Sequence, residues 1–271
     1  MIPEGLEATV VLLRHGESVF ITEERFQGQA ESPLSVVGRR QADLTGARLS
    51  RPHRSPALPM PIRAPLEIVH SPLQRTTETA SRVAAAMADA EAGPPPLRPH
   101  GGLAEIAQGE WEGMPRQKVA SRYPELLAGW RRTPLAMEAP GGERVIDAQV
   151  RIRVALASVL EGLARAAVSA GVRRTVPGSP VSGYPGPAAP DTPWSLVVGH
   201  DGAFKVLLLT LLDLPLERFW TFPFALGGIT IVELRDGRPV LRAHNWTEHL
   251  APLLDKRTRA ETEERGRAGA L

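Results

Sequence analysis

Three short apolar runs, each cut off abruptly by polar residues, constrain this chain most. Residues 10–13 end in Arg14-His15-Gly16-Glu17, residues 66–70 lead into Ser71-Pro72, and residues 195–198 stop at Gly199-His200. Runs of four or five residues are too short for helices and read as buried strands. Helical periodicity fills the intervals. Residues 35–49 carry Val37, Leu44 and Ala47 near helical spacing, and 73–87 are strongly helical until Gly93-Pro94-Pro95-Pro96 stops them. Residues 145–169 place Ile152, Leu156, Val159, Leu160 and Leu163 on one face. Pro115 opens a short helix through about Tyr123. Residues 202–212 are apolar nearly all round, which predicts a central helix, and 229–234 and 239–243 flank the hairpin signal Asp236-Gly237.

Strands alternating with helices predict an α/β fold: a three-layer sandwich with a mostly parallel central sheet flanked by helices. Ligands of such sheets collect at the carboxyl ends of the strands. His15 and His200 both follow predicted strand ends directly.

Length and composition bound the rest. The 271 residues with 42% hydrophobic content suffice for one core. We read a single catalytic domain over 1–254, an exposed Pro/Gly/Ser-rich insertion at 171–193 and a charged tail at 255–271. No run approaches the roughly 20 apolar residues of a membrane span. The first nine residues lack the basic start and apolar core of a signal sequence, so a cytoplasmic protein is expected. With no cysteine, disulfides, thiolate metal sites and a cysteine nucleophile are excluded. Net charge is +2, basic residues are scattered among acids, and aromatics make up 5%, which gives no footprint for nucleic acid. The seven histidines show neither HxxxH nor HxH spacing, and no P-loop motif occurs.

Arg14-His15-Gly16 alone is a weak signal, and a loop histidine beside a surface arginine would explain it. The weight lies in a series of further motifs in fixed order along the chain. Gln27-Gly28 comes first, then Ser32-Pro33-Leu34-Ser35 with Gly38, then Ser71-Pro72-Leu73-Gln74-Arg75-Thr76. Leu103-Ala104-Glu105 then leads to Gly109-Glu110-Trp111-Glu112-Gly113, and Val198-Gly199-His200 closes the set. In this combination the chain resembles the histidine phosphatase superfamily, the phosphoglycerate-mutase-like fold, over roughly residues 9–250. The resemblance implies a phosphohistidine intermediate on His15, Glu105 as proton donor, and a phosphate pocket of Arg14, Arg75 and His200. It extends substrate contacts to Gly16, Ser18, Gln27 and Gly28. The activity it implies is hydrolysis of a phosphoric monoester, a small phosphorylated metabolite, with neither cofactor nor metal.

Elementary chemistry asks for the same parts. A phosphate ester is a dianion, so its hydrolysis needs charge neutralisation, a nucleophile and a proton for the departing oxygen. Two guanidiniums can hold phosphate oxygens, and a neutral imidazole nitrogen is a competent nucleophile giving a two-step covalent route. His200 can donate a hydrogen bond where charge grows. Glu105 must be protonated at attack and then act as base on water.

Departures from the family pattern fall on the rim: Ile21 where many relatives carry Asn, Glu143-Arg144 where Glu-Ser is common, and Gly199, Asp201 and Lys205 around the second histidine. Two rivals stand beside the phosphatase. One is a phosphoglycerate mutase, weakened because Glu105 is followed by Ile106-Ala107-Gln108 rather than Arg-His-Tyr. The other is a non-catalytic phospholigand-binding module. Oligomeric state, a homodimer included, is not readable from the sequence.

Overall fold

The computed structural model describes residues 1–169 and 191–253. The expected tail, and residues 171–190 of the expected insertion, lie outside the described residues.

Six strands form one mixed sheet: β1 (Ala8–Arg14), β2 (Ile68–His70), β3 (Leu97–Pro99), β4 (Trp194–Gly199), β5 (Ile229–Arg235) and β6 (Arg238–Trp246), in the order β3-β2-β4-β1-β5-β6. The first four run parallel, while β5 is antiparallel to β1 and β6 to β5. Register aligns the strand ends, pairing Arg14 with Gly199, and His70 with both Val198 and Pro99. The residues just past β1, β2 and β4 therefore emerge side by side on one edge.

The period-two alternation of β1 divides its side chains between two cores. Val10 and Leu12 join the core built with α6 (Val145–Ser169) and α7 (Asp201–Leu211). Val11 and Leu13 join the one built with α2 (Val36–Leu49) and α3 (Gln74–Ala86). Helices thus cover both faces, as the α/β reading requires. All four of these side chains are 0% exposed, and truncating Leu12 or Leu13 to alanine costs roughly 2–5 kcal/mol, the transfer term plus the cavity.

Local chemistry sets the boundaries. Ser35 caps α2, its Oγ accepting the N–H of Gly38 at 3.0 Å. Helix α7 is buried at every position, as its all-round apolar sequence predicts. Asp236 and Gly237 take φ of 49° and 72° in the two-residue turn between β5 and β6. Two elements escape the periodicity reading. Strand β3 has three residues in a Pro-rich stretch, and α5 (Pro124–Arg132) starts on a proline directly after α4 (Arg116–Arg122). Helix α5 buries Leu127 and Trp130.

Candidate active site

The parallel strands deliver the site at their carboxyl ends. Arg14 ends β1, and His15 follows it, its N–H donating to the carbonyl of Gly199 at 3.0 Å. His200 follows β4 directly and occupies the N-cap position of α7. Ser71 follows β2, and Arg75 sits in the first turn of α3.

His15 is 2% exposed, and its Nδ1 lies 2.7 Å from the carbonyl oxygen of Gly16. A carbonyl only accepts, so Nδ1 carries the proton and Nε2 keeps its lone pair. Burial first, then the guanidiniums of Arg75 and Arg14, push the imidazole well below its ordinary pKa, so it is neutral at neutral pH. His200 is fully buried and meets the His15 ring at 62° with centroids 5.1 Å apart. Burial, followed by Arg75 and His15, pushes its pKa down as well. Its Nε2 lies 2.8 Å from Ser71 Oγ.

Arg75 is completely buried, donating through its Nη groups to the carbonyls of Ala30 (3.0 Å) and Gly28 (2.7 Å). Burial lowers its pKa to about 10 against the opposing pull of Glu105 and Glu31, so it stays charged near neutrality. Arg14 donates to the carbonyl of Phe224 and lies 3.9 Å from Asp201 Oδ1. After these anchors, Arg14 Nε, Arg75 Nε and His200 Nδ1 are buried with no hydrogen-bond partner among the described residues. Each such group costs about 1–3 kcal/mol, and native interiors rarely leave them so. The two guanidinium nitrogens are donors, of the kind an anion with acceptor oxygens would satisfy.

Arg14, His15 and Arg75 line one cavity with Gln27, Gly28, Glu105, Ile106, Gln108, Trp130, Asp201 and Gly202. The Glu105 carboxylate accepts the N–H groups of Ile106 (2.9 Å) and Ala203 (2.8 Å) on Oε1 and of Gly202 (3.1 Å) on Oε2. A Cβ at position 202 would lie 2.7 Å from Oε1, so glycine there admits the carboxylate to the start of α7. Glu112 ties two loops together, its Oε1 accepting from the backbones of Gln29 and Gln108, both at 2.8 Å.

Of the sequence-derived site residues, Arg14, His15, Gln27, Gly28, Arg75 and Glu105 meet at the cavity, and His200, outside its lining, packs against the His15 ring. Gly16 and Ser18 are not in its lining. Gly16 presses on Gly38, whose oxygen a Cβ would approach to 2.3 Å. Ser18 is buried, caps α1 (Val19–Thr22) and donates to Gln27 Oε1 at 2.5 Å. Sequence reasoning did not single out Trp130 or Gln108, and treated Asp201 only as a departure from pattern. A signal was available for Trp130, a tryptophan following Leu126 and Leu127 at helical spacing. His70 is buried, with Nδ1 on the Ser71 carbonyl at 2.8 Å. Trp111 is wholly buried against Phe26 and Tyr123, a packing anchor as expected.

Among the described residues, no group of three or more His, Cys, Asp or Glu could hold a metal ion, and no helix is long and apolar enough to cross a membrane.

The sequence is 26% identical over 242 residues to phosphoserine phosphatase 1 of Hydrogenobacter thermophilus, covering 89% of this chain and 93% of the relative. It is 30% identical over 221 residues to a glucosyl-3-phosphoglycerate phosphatase of Mycobacterium tuberculosis, covering 81% and 80%. A bifunctional protein of the same organism matches 91% of this chain at 27% identity over 247 residues, and the chain spans only 56% of its length. In three dimensions a mycobacterial glucosyl-3-phosphoglycerate phosphatase complexed with VO3 superposes at a TM-score of 0.65 and 24% identity, covering 89% of this chain and 100% of that one. The sequence profile of the histidine phosphatase superfamily (branch 1) matches residues 10–170 and 188–247, and with that match over most of its length the chain belongs to this superfamily.

Proposed function

We propose that this protein is a phosphomonoesterase that carries the phosphoryl group on His15 and needs no metal ion. The observation that supports it best is the setting of His15: a neutral imidazole with a free Nε2 lone pair beside buried donors on Arg14, Arg75 and His200 that lack partners among the described residues. In this reading the guanidiniums and His200 Nδ1 take up the phosphate oxygens. Nε2 attacks phosphorus in line with the ester oxygen, and Glu105 gives that oxygen its proton. The same carboxylate then takes a proton from the water that attacks the phosphohistidine. Donors fixed in advance stabilise the charge that develops on the transferring group without reorganising during the step.

Phosphoserine phosphatase 1 and the glucosyl-3-phosphoglycerate phosphatase are named for small phosphorylated metabolites, and a substrate of that class is the one proposed here. Rapid quench with labelled substrate tests the route. An acid-labile, base-stable phosphoenzyme is expected, and His15→Ala should abolish both it and turnover. Label on a serine, or activity in the mutant, would overturn the mechanism. Exhaustive chelation should leave turnover intact, and rescue of a chelator-dead enzyme by Mg²⁺ or Zn²⁺ would remove metal independence from the proposal.

The mutase reading predicts interconversion of 2- and 3-phosphoglycerate. The residues after Glu105 argue otherwise: Ile106 and Gln108 line the cavity and bring no charge to it, where the mutase pattern has Arg-His-Tyr after the acid. Release of inorganic phosphate with negligible interconversion is expected, and mutase turnover comparable with hydrolysis would reverse the assignment.

A further inference from the structure

Ser71 is fully buried, as is His200, and its Oγ lies 2.8 Å from His200 Nε2. The contact joins two elements distant in sequence, the end of β2 and the start of α7, through the pairing of β2 with β4. A serine hydroxyl has one proton to give and can accept as well, whereas each nitrogen of a neutral imidazole either donates or accepts. Hydrogen-bond accounting therefore decides the tautomer.

Suppose Nε2 carried the proton. Ser71 Oγ would then accept from Nε2–H and from the Leu73 N–H at 3.4 Å, and its own proton would be left without an acceptor among the described residues. Nδ1 would present a lone pair where a phosphate oxygen must come, and two acceptors would face each other. Suppose instead that Nδ1 carries it. Ser71 then donates to Nε2 and accepts from Leu73, so every Ser71 hydroxyl group function is matched. Nδ1–H becomes the buried donor that lacks a partner among the described residues.

We infer that Ser71 is a positioning residue for the phosphoryl-transfer site: its hydroxyl donates to His200 Nε2 and so fixes His200 in the Nδ1–H tautomer that presents a donor to phosphate. The inference rests on the phosphomonoesterase reading and adds the device that sets one of its donors. It also explains why the two histidines reach opposite roles from the same neutral state. His15 donates through Nδ1 to a carbonyl and keeps Nε2 as nucleophile, while His200 accepts at Nε2 from a hydroxyl and keeps Nδ1–H as donor. Burial and the neighbouring arginines hold His200 neutral, so the choice between tautomers is open and Ser71 makes it.

The direct test is ¹⁵N NMR of the histidine ring nitrogens in wild type, free and with inorganic phosphate. His200 should show a protonated Nδ1 and an unprotonated Nε2 in both, and phosphate should shift the Nδ1 proton downfield. In Ser71→Ala the nitrogen shifts should move toward a mixture of tautomers. Single-turnover phosphoenzyme formation should slow by about 10–100-fold, less than the roughly 10²–10³-fold of a donor lost outright, because a tautomer mixture still presents Nδ1–H part of the time. Ser71→Thr, which keeps the hydroxyl, should recover most of the rate and the wild-type shifts. A protonated Nε2 in wild type overturns the inference outright and needs no variant to fold. Unchanged tautomer and rate in a folded Ser71→Ala do so too. Because the ring spectra require no turnover, failure of the phosphohistidine route would show up separately, as wild-type enzyme that binds phosphate with the expected tautomer yet forms no phosphoenzyme.

Discussion

Arg151 and Glu143 form a fork-to-fork pair, Nε to Oε1 and Nη2 to Oε2 at 2.7 Å each, and the same guanidinium donates to the carbonyl of Glu105 at 3.0 Å. Its Nη1 also reaches the carbonyls of Gly102 (3.0 Å) and Ala104 (2.7 Å). One side chain from α6 thus gathers three carbonyls of the loop that carries the proposed acid. Glu143 holds that side chain by both nitrogens, which is the geometry in which arginine cannot be exchanged for lysine.

Arg151→Lys is therefore expected to act on Glu105 at a distance. A misplacement of about 1 Å costs up to 10²-fold, so turnover of an alkyl phosphate should fall by about 10–100-fold with a much smaller change in KM. Glu143→Gln should fall in the same direction, and a double-mutant cycle should show coupling of about 0.5–3 kcal/mol. Additive losses would separate the pair from the loop.

Gly202→Ala tests the approach of Glu105 to α7 from the other side. The helix backbone tolerates alanine well, yet the new Cβ would lie 2.7 Å from Glu105 Oε1. The carboxylate must swing away from the N–H groups of Gly202 and Ala203. We expect thermal stability within about 1 kcal/mol of wild type, with a loss of phosphoenzyme formation of about 10-fold or more. A fully active variant would show that the carboxylate need not rest on the helix start.

The layered fold was legible because β1, β4 and α7 are apolar on every side, and such runs have few alternatives. Residues of the proposed phosphate site stand out in the sequence for a related reason: Arg14, His15 and His200 sit at strand ends, where the chain must leave the sheet. Arg151 and Glu143 were not. Glu143 precedes α6 and Arg151 lies eight residues on within it, so the two look like any solvated pair, and the arginine's three carbonyl acceptors are set by a loop almost 50 residues away. Strand β3 escaped because three residues carry no period. Ser71 stood inside a recognisable motif, but its bond to His200 depends on the insertion of β4 beside β2, which no local pattern reveals.

Acid should destabilise the protein earlier than carboxylate titration alone predicts. His15 and His200 are held well below their ordinary pKa by burial and neighbouring arginines, and burial brings His249 down to about 4. Unfolded, these rings bind protons near pH 6.5, whereas folded they refuse them. Below pH 6.5 the unfolded state therefore holds more protons, and stability falls as pH drops from 6.5 towards the folded values, about 4 for His249. The urea midpoint should decline from pH 7 to pH 5, and His249→Gln should flatten part of that decline. A midpoint constant across this range would contradict the buried neutral rings.

Three other carboxylates compete with Glu105 for the role of the acid. Glu110 and Glu112 are its neighbours in sequence, but Glu110 is exposed and accepts from the Tyr123 hydroxyl, while Glu112 clamps two loop backbones. Asp201 is the other carboxylate in the cavity lining, and it is held by Lys205 and the N–H of Phe224. Glu105 Oε2 accepts a single N–H at 3.1 Å and so has a lone pair to spare for a proton. A proton donor matters most when the departing oxygen is strongly basic. An alkoxide needs the proton, and a nitrophenolate leaves with far less help. General acid catalysis is worth about 10²–10⁴-fold, so Glu105→Gln should lose something near that factor on an alkyl phosphate and much less on p-nitrophenyl phosphate. The measurement is single-turnover phosphoenzyme formation, since steady-state rates mix in the second step, for which Glu105 is also the proposed base. Asp201→Asn should lose a similar, smaller factor on both substrates, because its part is to hold Lys205 and the Phe224 backbone beside Arg14. Equal losses in Glu105→Gln on the two substrates would make Glu105 a holder of its loop, and a leaving-group-dependent loss in Asp201→Asn would move the acid there.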